Sequence, residues 1–279
     1  MQLRIVHRTG FEYDGKAVAS YNQARMTPVT TPEQIVVHSR LEVSPKPWTY
    51  EYRDYFGTHV TAFEVVDPHD SLTVTATSTV QTNRPPTPPA RATWDALGDR
   101  EVADRWTEYL TLPELVAPPA DFVRRAESVR DGARLPGEAA LALCRLVSDE
   151  LEHRPGSTDV QTPAAAAWGQ RAGVCQDMVH LVIGGLRSLG IPARYVSGYF
   201  HPAADPVVGE QVVGESHAWV EWWDDGWHPF DLTNDREPSD QYVTVATGRD
   251  YGDVKPLSGI YSGAATSHMF VEVEVTRLA

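Results

Sequence analysis

The sequence predicts an α+β protein in two parts, an N-terminal antiparallel β-sandwich followed by a core that mixes helices and strands. Three observations carry this expectation. Short Val- and Thr-rich runs separated by turn dipeptides fill the chain to about residue 83. Four prolines then fall among the ten residues from Asn83 to Ala92, a run that cannot continue a sheet and reads as a stiff linker. Beyond it, apolar side chains recur at helical spacing, most regularly from Cys175 to Leu189. The domain division that follows is 1–90 for the sandwich with its linker and 91–279 for the core.

The elements follow in order. Leu3 to His7 opens as a strand, and Ile35 to Val43, His59 to Val66 and Leu72 to Val80 continue the β pattern. Asp14-Gly15, Phe56-Gly57 and Asp67-Pro68 supply turns between them. No polar constellation appears in this region, so no chemistry is assigned to it. After the linker, Arg100 to Tyr109 and Ala120 to Val129 are short amphipathic helices. Gly137 to Leu151 is a stronger one, with Cys144 on its apolar stripe and therefore in the core. Pro163 and the alanines behind it fit a helix start. Ala193 to Phe200 is a strand, His201 to Glu215 a loop, and His217 to Trp223 and Trp227 to Asp231 the arms of a hairpin. Tyr242 to Val245 and Met269 to Val275 complete the β content.

Composition excludes several function classes. The chain has 279 residues and a formal net charge of -14, from 24 basic and 38 acidic side chains. Binding to phosphate backbones or anionic membrane needs clustered Lys and Arg, so neither nucleic acid nor membrane is an expected partner. Two cysteines are too few to staple a chain of this length, and no signal segment or membrane span is read, so the expected location is cytoplasmic. No cofactor or metal is expected. His201, His217 and His228 fit no compact zinc spacing, and Asp250 and Asp253 lack a calcium-loop pattern. Gly184-Gly185 reads as close packing.

Chemistry concentrates at two places. Cys175 sits in the first turn of the central helix, two residues after Gly173, where unpaired N–H groups and the positive dipole end favour a thiolate. A nucleophile and a small apolar core cysteine are both open readings there. The second place is the hairpin. With Asp224-Asp225-Gly226 as its loop, Trp223 opposes Trp227, Trp219 opposes Asp231, and Asp231 becomes the diagonal neighbour of His217 on the same face. A core histidine and a turn-capping aspartate would each be ordinary. Together with Cys175 they form a thiol nucleophile, an imidazole base and a carboxylate that orients it.

The segments RAGVCQD, LRSLGIPARYVSGY, SHAWVEWW and WHPFDLTND resemble the blocks of the transglutaminase-like superfamily. The N-terminal β region and the tail GRDYGDVKPLSGIY resemble its bacterial two-domain members. The resemblance implies a papain-like core with Cys175 as nucleophile, His217 as general base and Asp231 as orienting acid. It implies a peptide or protein substrate, cleaved at an amide bond through a Cys thioester. Acyl transfer to an amine is one alternative, and a non-catalytic peptide-binding scaffold is another. Gln170, five residues before the cysteine, is similar to the oxyanion glutamine of papain, although the spacing differs. Leu232 stands where many relatives have proline, which concerns only the local turn.

Overall fold

The structure is a computed structural model and describes every residue except Ala90, Glu215 and Ala265. The first two of these fall in the expected linker and at the end of the expected loop, so those two points lie outside the described residues.

Strands β1 (Gln2–Ala17), β2 (Ala19–Ala24), β3 (Gln34–Ser44), β4 (Trp48–Arg53), β5 (His59–Val65) and β6 (His69–Thr82) build the N-terminal part. The middle of the chain holds helices α1 (Trp94–Leu97), α2 (Arg100–Arg105), α3 (Ala120–Gly132) and α4 (Pro136–Glu150), then β7 (Glu152–His153), α5 (Ala164–Gln170), β8 (Ala172–Gly173) and α6 (Cys175–Ser188). The last third holds β9 (Ala193–Phe200), β10 (Gln211–Gly214), β11 (His217–Trp223), β12 (Trp227–Phe230), β13 (Tyr242–Gly248), α7 (Tyr251–Val254), β14 (Leu257–Ser262) and β15 (Ser267–Arg277).

The sandwich is not confined to the first 90 residues, which corrects the division drawn at the linker. One of its sheets runs β10-β15-β1-β6-β3 and the other β14-β2-β5-β4, so three strands from the last quarter of the chain complete it. β15 pairs with β1 along its length, from Leu3 opposite Arg277 to Tyr13 opposite Ser267. Met269 to Val275 alternates like any half-buried strand, and alternation does not say which sheet receives it. The expected loop before the hairpin likewise contains β10, which pairs with β15. The two ends of the buried face of β1 serve two cores. Tyr13 packs with Phe63, Val65 and Leu72 inside the sandwich, whereas Leu3 and Ile5 join the helical core.

The linker is strapped down rather than free. The Arg84 N–H donates to Asp240, and the N–H groups of Arg91 and Ala92 donate to the buried Asp224 of the hairpin loop. A second tie is Gln34, whose side-chain amide donates to the Thr244 carbonyl at 2.7 Å and accepts from the Thr244 N–H at 2.8 Å. Thr244 lies at the point where the pairing of β13 with β9 shifts register, so Gln34 supplies polar partners at the irregularity.

Helix α6 is the centre of the second part. Its periodicity predicted one apolar face, but every residue from Gln176 to Arg187 is buried, because α3, α4 and α5 pack around it and β9 and β11 cover another side. Several of the polar groups this encloses find partners, while His180 Nδ1 and Asp177 Oδ1 are buried without one among the described residues. Arg187 donates to the carbonyls of Ala193, Thr111 and Arg249. His180 accepts from the Tyr251 N–H at 3.0 Å, and burial pushes its imidazole down to about 3. Such close wrapping needs small residues on the helix. A Cβ on Gly184 would stand 2.0 Å from the Val116 carbonyl oxygen, and one on Gly185 2.6 Å from Leu143.

Gly184→Ala should therefore lower stability by roughly 1–3 kcal/mol, the usual cost of overpacking a core. Gly169→Ala, with nothing within 4 Å of its added Cβ, is the control and should leave stability unchanged or slightly raised. Urea unfolding of the two variants checks this. Equal midpoints would mean that α3 and its preceding loop can withdraw from α6 at no cost.

Candidate active site

The two-residue parallel pair of β7 and β8 fixes the approach to Cys175. Gly173 is required at its end, because a Cβ there would meet the Asp177 side chain at 2.8 Å. The space it leaves lets Asp177 fold back and accept the Val174 N–H at 2.8 Å, capping α6 one residue before the cysteine. Asp177 also accepts the Thr158 hydroxyl at 2.6 Å. Burial nevertheless holds its carboxyl above the usual carboxylate range, those bonds only partly offsetting it. Cys175 is thus the first residue of a capped helix, half-buried, with its own N–H among the first-turn donors that have no intrahelical acceptor. Cys144 is fully buried in α4, and burial pushes its thiol up.

The hairpin has the register its three-residue loop predicts. Trp223 opposes Trp227, Trp222 opposes His228 and Val220 opposes Phe230. Continued one pair outward, this brings Asp231 beneath His217, and His217 Nε2 donates to Asp231 Oδ2 at 2.7 Å. The other ring nitrogen is left for Cys175, whose side chain is, with Asp231, one of the two neighbours that favour the protonated imidazole. Phe200 covers the imidazole with ring centroids 4.6 Å apart, and Trp219 and Tyr242 stand close by. Burial among these rings works against a charged imidazole. Asp231 and Cys175 outweigh it and raise His217 to about 9.

Asp231 has no exposure to solvent, and five donors meet it. Oδ2 accepts from His217, from Asn234 Nδ2 at 2.7 Å and from the Tyr242 hydroxyl at 2.7 Å. Oδ1 accepts the N–H groups of Thr233 and Asn234 at 3.1 and 3.2 Å. Burial alone would raise its pKa; these bonds and the charge on His217 hold it below the ordinary value. Arg236 Nε donates to the Tyr242 oxygen at 2.9 Å, which leaves the phenol proton to point at the carboxylate. Backbone bonds between Asp231 and Arg236 close the intervening turn, in which Asp235 takes a left-handed φ of 47°. Leu232, the departure in this turn, is buried in the core.

The structure therefore brings Cys175, His217 and Asp231 together. Gln170 is different. It ends α5 as an exposed side chain and makes no hydrogen bond to the other three among the described residues. An exposed amide is solvated and cannot serve as a preorganised oxyanion donor, so that assignment is withdrawn. Sequence reasoning missed Asn234, Arg236 and Tyr242. Asn234 was readable as a neighbour of the Asp231 turn, but Tyr242 comes from the far strand and only the fold brings it near. His201 and His228 are engaged elsewhere, with the Ala203 N–H and the Asp224 carbonyl.

Comparisons with known proteins find relatives over the whole chain. A profile of the bacterial transglutaminase-like N-terminal region matches residues 3–81, and one of the transglutaminase-like superfamily matches residues 123–232, the stretch that holds all three side chains. An uncharacterised protein of Mycobacterium leprae is 44% identical over 278 residues, covering 100% of this chain and 99% of that one. A protein-glutamine gamma-glutamyltransferase of Pseudomonas aeruginosa is 31% identical over 122 residues, 39% of this chain and 18% of that protein. A solved structure described as a candidate cysteine protease, from Cytophaga hutchinsonii, shares the fold with a TM-score of 0.75 at 24% identity, over 98% of this chain and 90% of that one.

The raised imidazole makes a stability prediction. The folded value of about 9 lies above the ordinary 6.5, so folding favours the protonated ring. The stabilisation is complete below about pH 6.5 and is lost as pH rises through about 9. Urea unfolding at about pH 6 and pH 9.5 should show the wild type losing stability across that window, and His217→Gln losing markedly less. Equal losses would detach the imidazole charge from folding.

Proposed function

Since the chain belongs to the transglutaminase-like superfamily, we propose that it is a cysteine-type hydrolase that cleaves an amide or peptide bond through a Cys175 thioester. The observation that carries this reading is the 2.7 Å bond from His217 Nε2 to the buried Asp231, which commits one imidazole nitrogen and leaves the other for the Cys175 thiol. In the proposed cycle the thiol proton passes to His217, and the thiolate attacks the acyl carbon. The carbonyl oxygen gains the negative charge, and the Cys175 N–H at the start of α6 is the donor at hand for it. His217 then gives its proton to the departing amine as the carbon–nitrogen bond breaks, leaving the thioester. Water, deprotonated by the now neutral His217, attacks the thioester, and the thiol is regenerated as the acid leaves. Asp231 stays ionised throughout and stabilises the imidazolium.

A second reading is favoured by one comparison, the relative named as a protein-glutamine gamma-glutamyltransferase. In it an amine takes the place of water in the last step and the product is a new amide. The same thioester serves both outcomes, so the reaction is decided by what reaches the acyl group.

The test begins with the thiol. Iodoacetamide should alkylate Cys175 rapidly down to below pH 7, with the rate falling at least about tenfold in His217→Ala, while Cys144 stays inert. Peptide cleavage, measured with a mixed peptide library, should disappear in Cys175→Ala and fall roughly 10²- to 10⁴-fold in Asp231→Asn. Its alkaline limb should fall near pH 9, where His217 loses the proton it gives to the leaving amine. Adding a primary amine separates the readings, since amide product in place of acid would select transfer. A Cys175 as unreactive as Cys144 would overturn both and leave a binding scaffold.

A further inference from the structure

A partly open space lies away from the reacting groups, where the sandwich, the linker and the β9–β11–β13 sheet meet. It is a cavity of about 510 Å3, within the size range of small-molecule sites, and none of Cys175, His217 and Asp231 lines it. Its lining is mixed: Phe56, Trp227 and the prolines of the linker are apolar, and the arginines, Glu33, Glu221 and several threonines are polar. The linker prolines offer no N–H, so on that side polar recognition falls to side chains.

Three of those side chains are arginines in a protein whose net charge is -14. Arg194 is already neutralised, its guanidinium 2.6 Å from Glu221 and stacked over Trp227 at 4.1 Å. Arg53 lies at the exposed edge and donates to the Gly57 carbonyl. Arg84 is the exception. Its Nη2 donates to the Thr244 hydroxyl at 2.8 Å, but its buried Nε has no acceptor and the residue has no ion pair among the described residues. Burial lowers its pKa, the more distant Glu221, Glu33 and Asp240 only partly offsetting this. Nε has no accessible surface, so the donor left for a ligand is the Nη edge, where Nη1 has no hydrogen-bond partner among the described residues, and a guanidinium forms strong charge-assisted bonds to a carboxylate. The Arg84 backbone is pinned to Asp240, and Gln34 holds the backbone of Thr244, to which the guanidinium bonds, so this part of the lining is formed before anything enters it.

We propose that this cavity binds a small organic monocarboxylate, with Arg84 on the carboxylate and Phe56, Trp227 and the prolines against its apolar body. Glu33 and Glu221, which also line the cavity, disfavour a doubly charged anion such as phosphate more than a singly charged one. The inference stands independently of the thiol chemistry, because it uses none of the reacting groups.

Isothermal titration of the full chain with 3-phenylpropionate, its neutral amide 3-phenylpropanamide and inorganic phosphate tests it. The acid should bind, and the amide and phosphate should bind roughly ten- to a hundredfold more weakly, the worth of one charged hydrogen-bonded pair. Arg84→Gln should weaken the acid to the level of the amide. Three results would overturn the proposal: equal affinity for acid and amide, no binding of the acid, or phosphate as the tightest ligand. The acid–amide comparison uses the wild type, so it decides even if the variant fails to fold. A folded Arg84→Gln that still binds the acid as the wild type does would also overturn it.

Discussion

A fully buried carboxylate is the constraint from which the rest of the second part follows. Asp231 has no contact with water, and a lone buried charge would cost several kcal/mol or be neutralised by a proton. The fold keeps it ionised by aiming five donors at it from three places: its own turn, the facing strand of the hairpin and the more distant β13. Each donor has to be held by something else. Tyr242 is fixed by Arg236 and by its place opposite Phe200 in the sheet, and His217 by its aromatic surroundings. Removing one partner from such a cluster typically costs about 3–5 kcal/mol, because the remaining charge stays buried. The arrangement therefore makes sense as a way of holding an imidazolium, and weakly as a way of adding stability.

The same logic explains why α6 is surrounded. A cysteine at a helix start is activated only while the helix end keeps its position relative to the imidazole, and a helix exposed on one side could shift. Here Gly184 and Gly185 admit the neighbouring backbone and side chains, and Arg187 ties the far end of the helix to three carbonyls. At the near end, Asp177 gives one carboxylate to the cap, and Gly173 makes room for it. The helix is anchored at both ends and filled along its sides, so the Cys175 N–H and thiol are presented without freedom to drift.

What was legible in the sequence was local. The start of α6, the strand from Ala193 to Phe200 and the register of the hairpin all follow from periodicity and one turn, and the structure has each of them. The parts that were not legible are those made by distant segments. β15 enters the sandwich beside β1, and Tyr242 reaches Asp231, through pairings that no window of sequence contains. The proline run was read as a boundary because prolines cannot continue a sheet. That reason is sound for the linker itself, yet it is silent about a chain that returns across the boundary. Gln170 failed for a related cause: its distance along the chain from Cys175 was known, but the end of α5 turns it towards solvent.

Strand β11 shows two uses of buried charge on one face. His217, Trp219 and Glu221 alternate along it, opposite Gly198, Val196 and Arg194 of β9. The first residue belongs to the thiol centre and the last to the cavity wall, with the fully buried Trp219 between them. Four residues of strand span about 13 Å, and at an effective dielectric of about 20 two unit charges at that separation interact by only about 1 kcal/mol. Glu221 would exert even that on His217 if it stood alone, but Arg194 at 2.6 Å cancels most of it. The imidazolium is thus governed by Asp231 and Cys175, its direct partners. Arg84, bonded to β13 rather than β11, has no ion pair among the described residues, and the strand residue it bonds is Thr244, two positions beyond Tyr242. The sheet accordingly separates two electrostatic environments that share its strands, and a ligand charge beside Arg84 is paired where it binds before its field reaches the thiol centre.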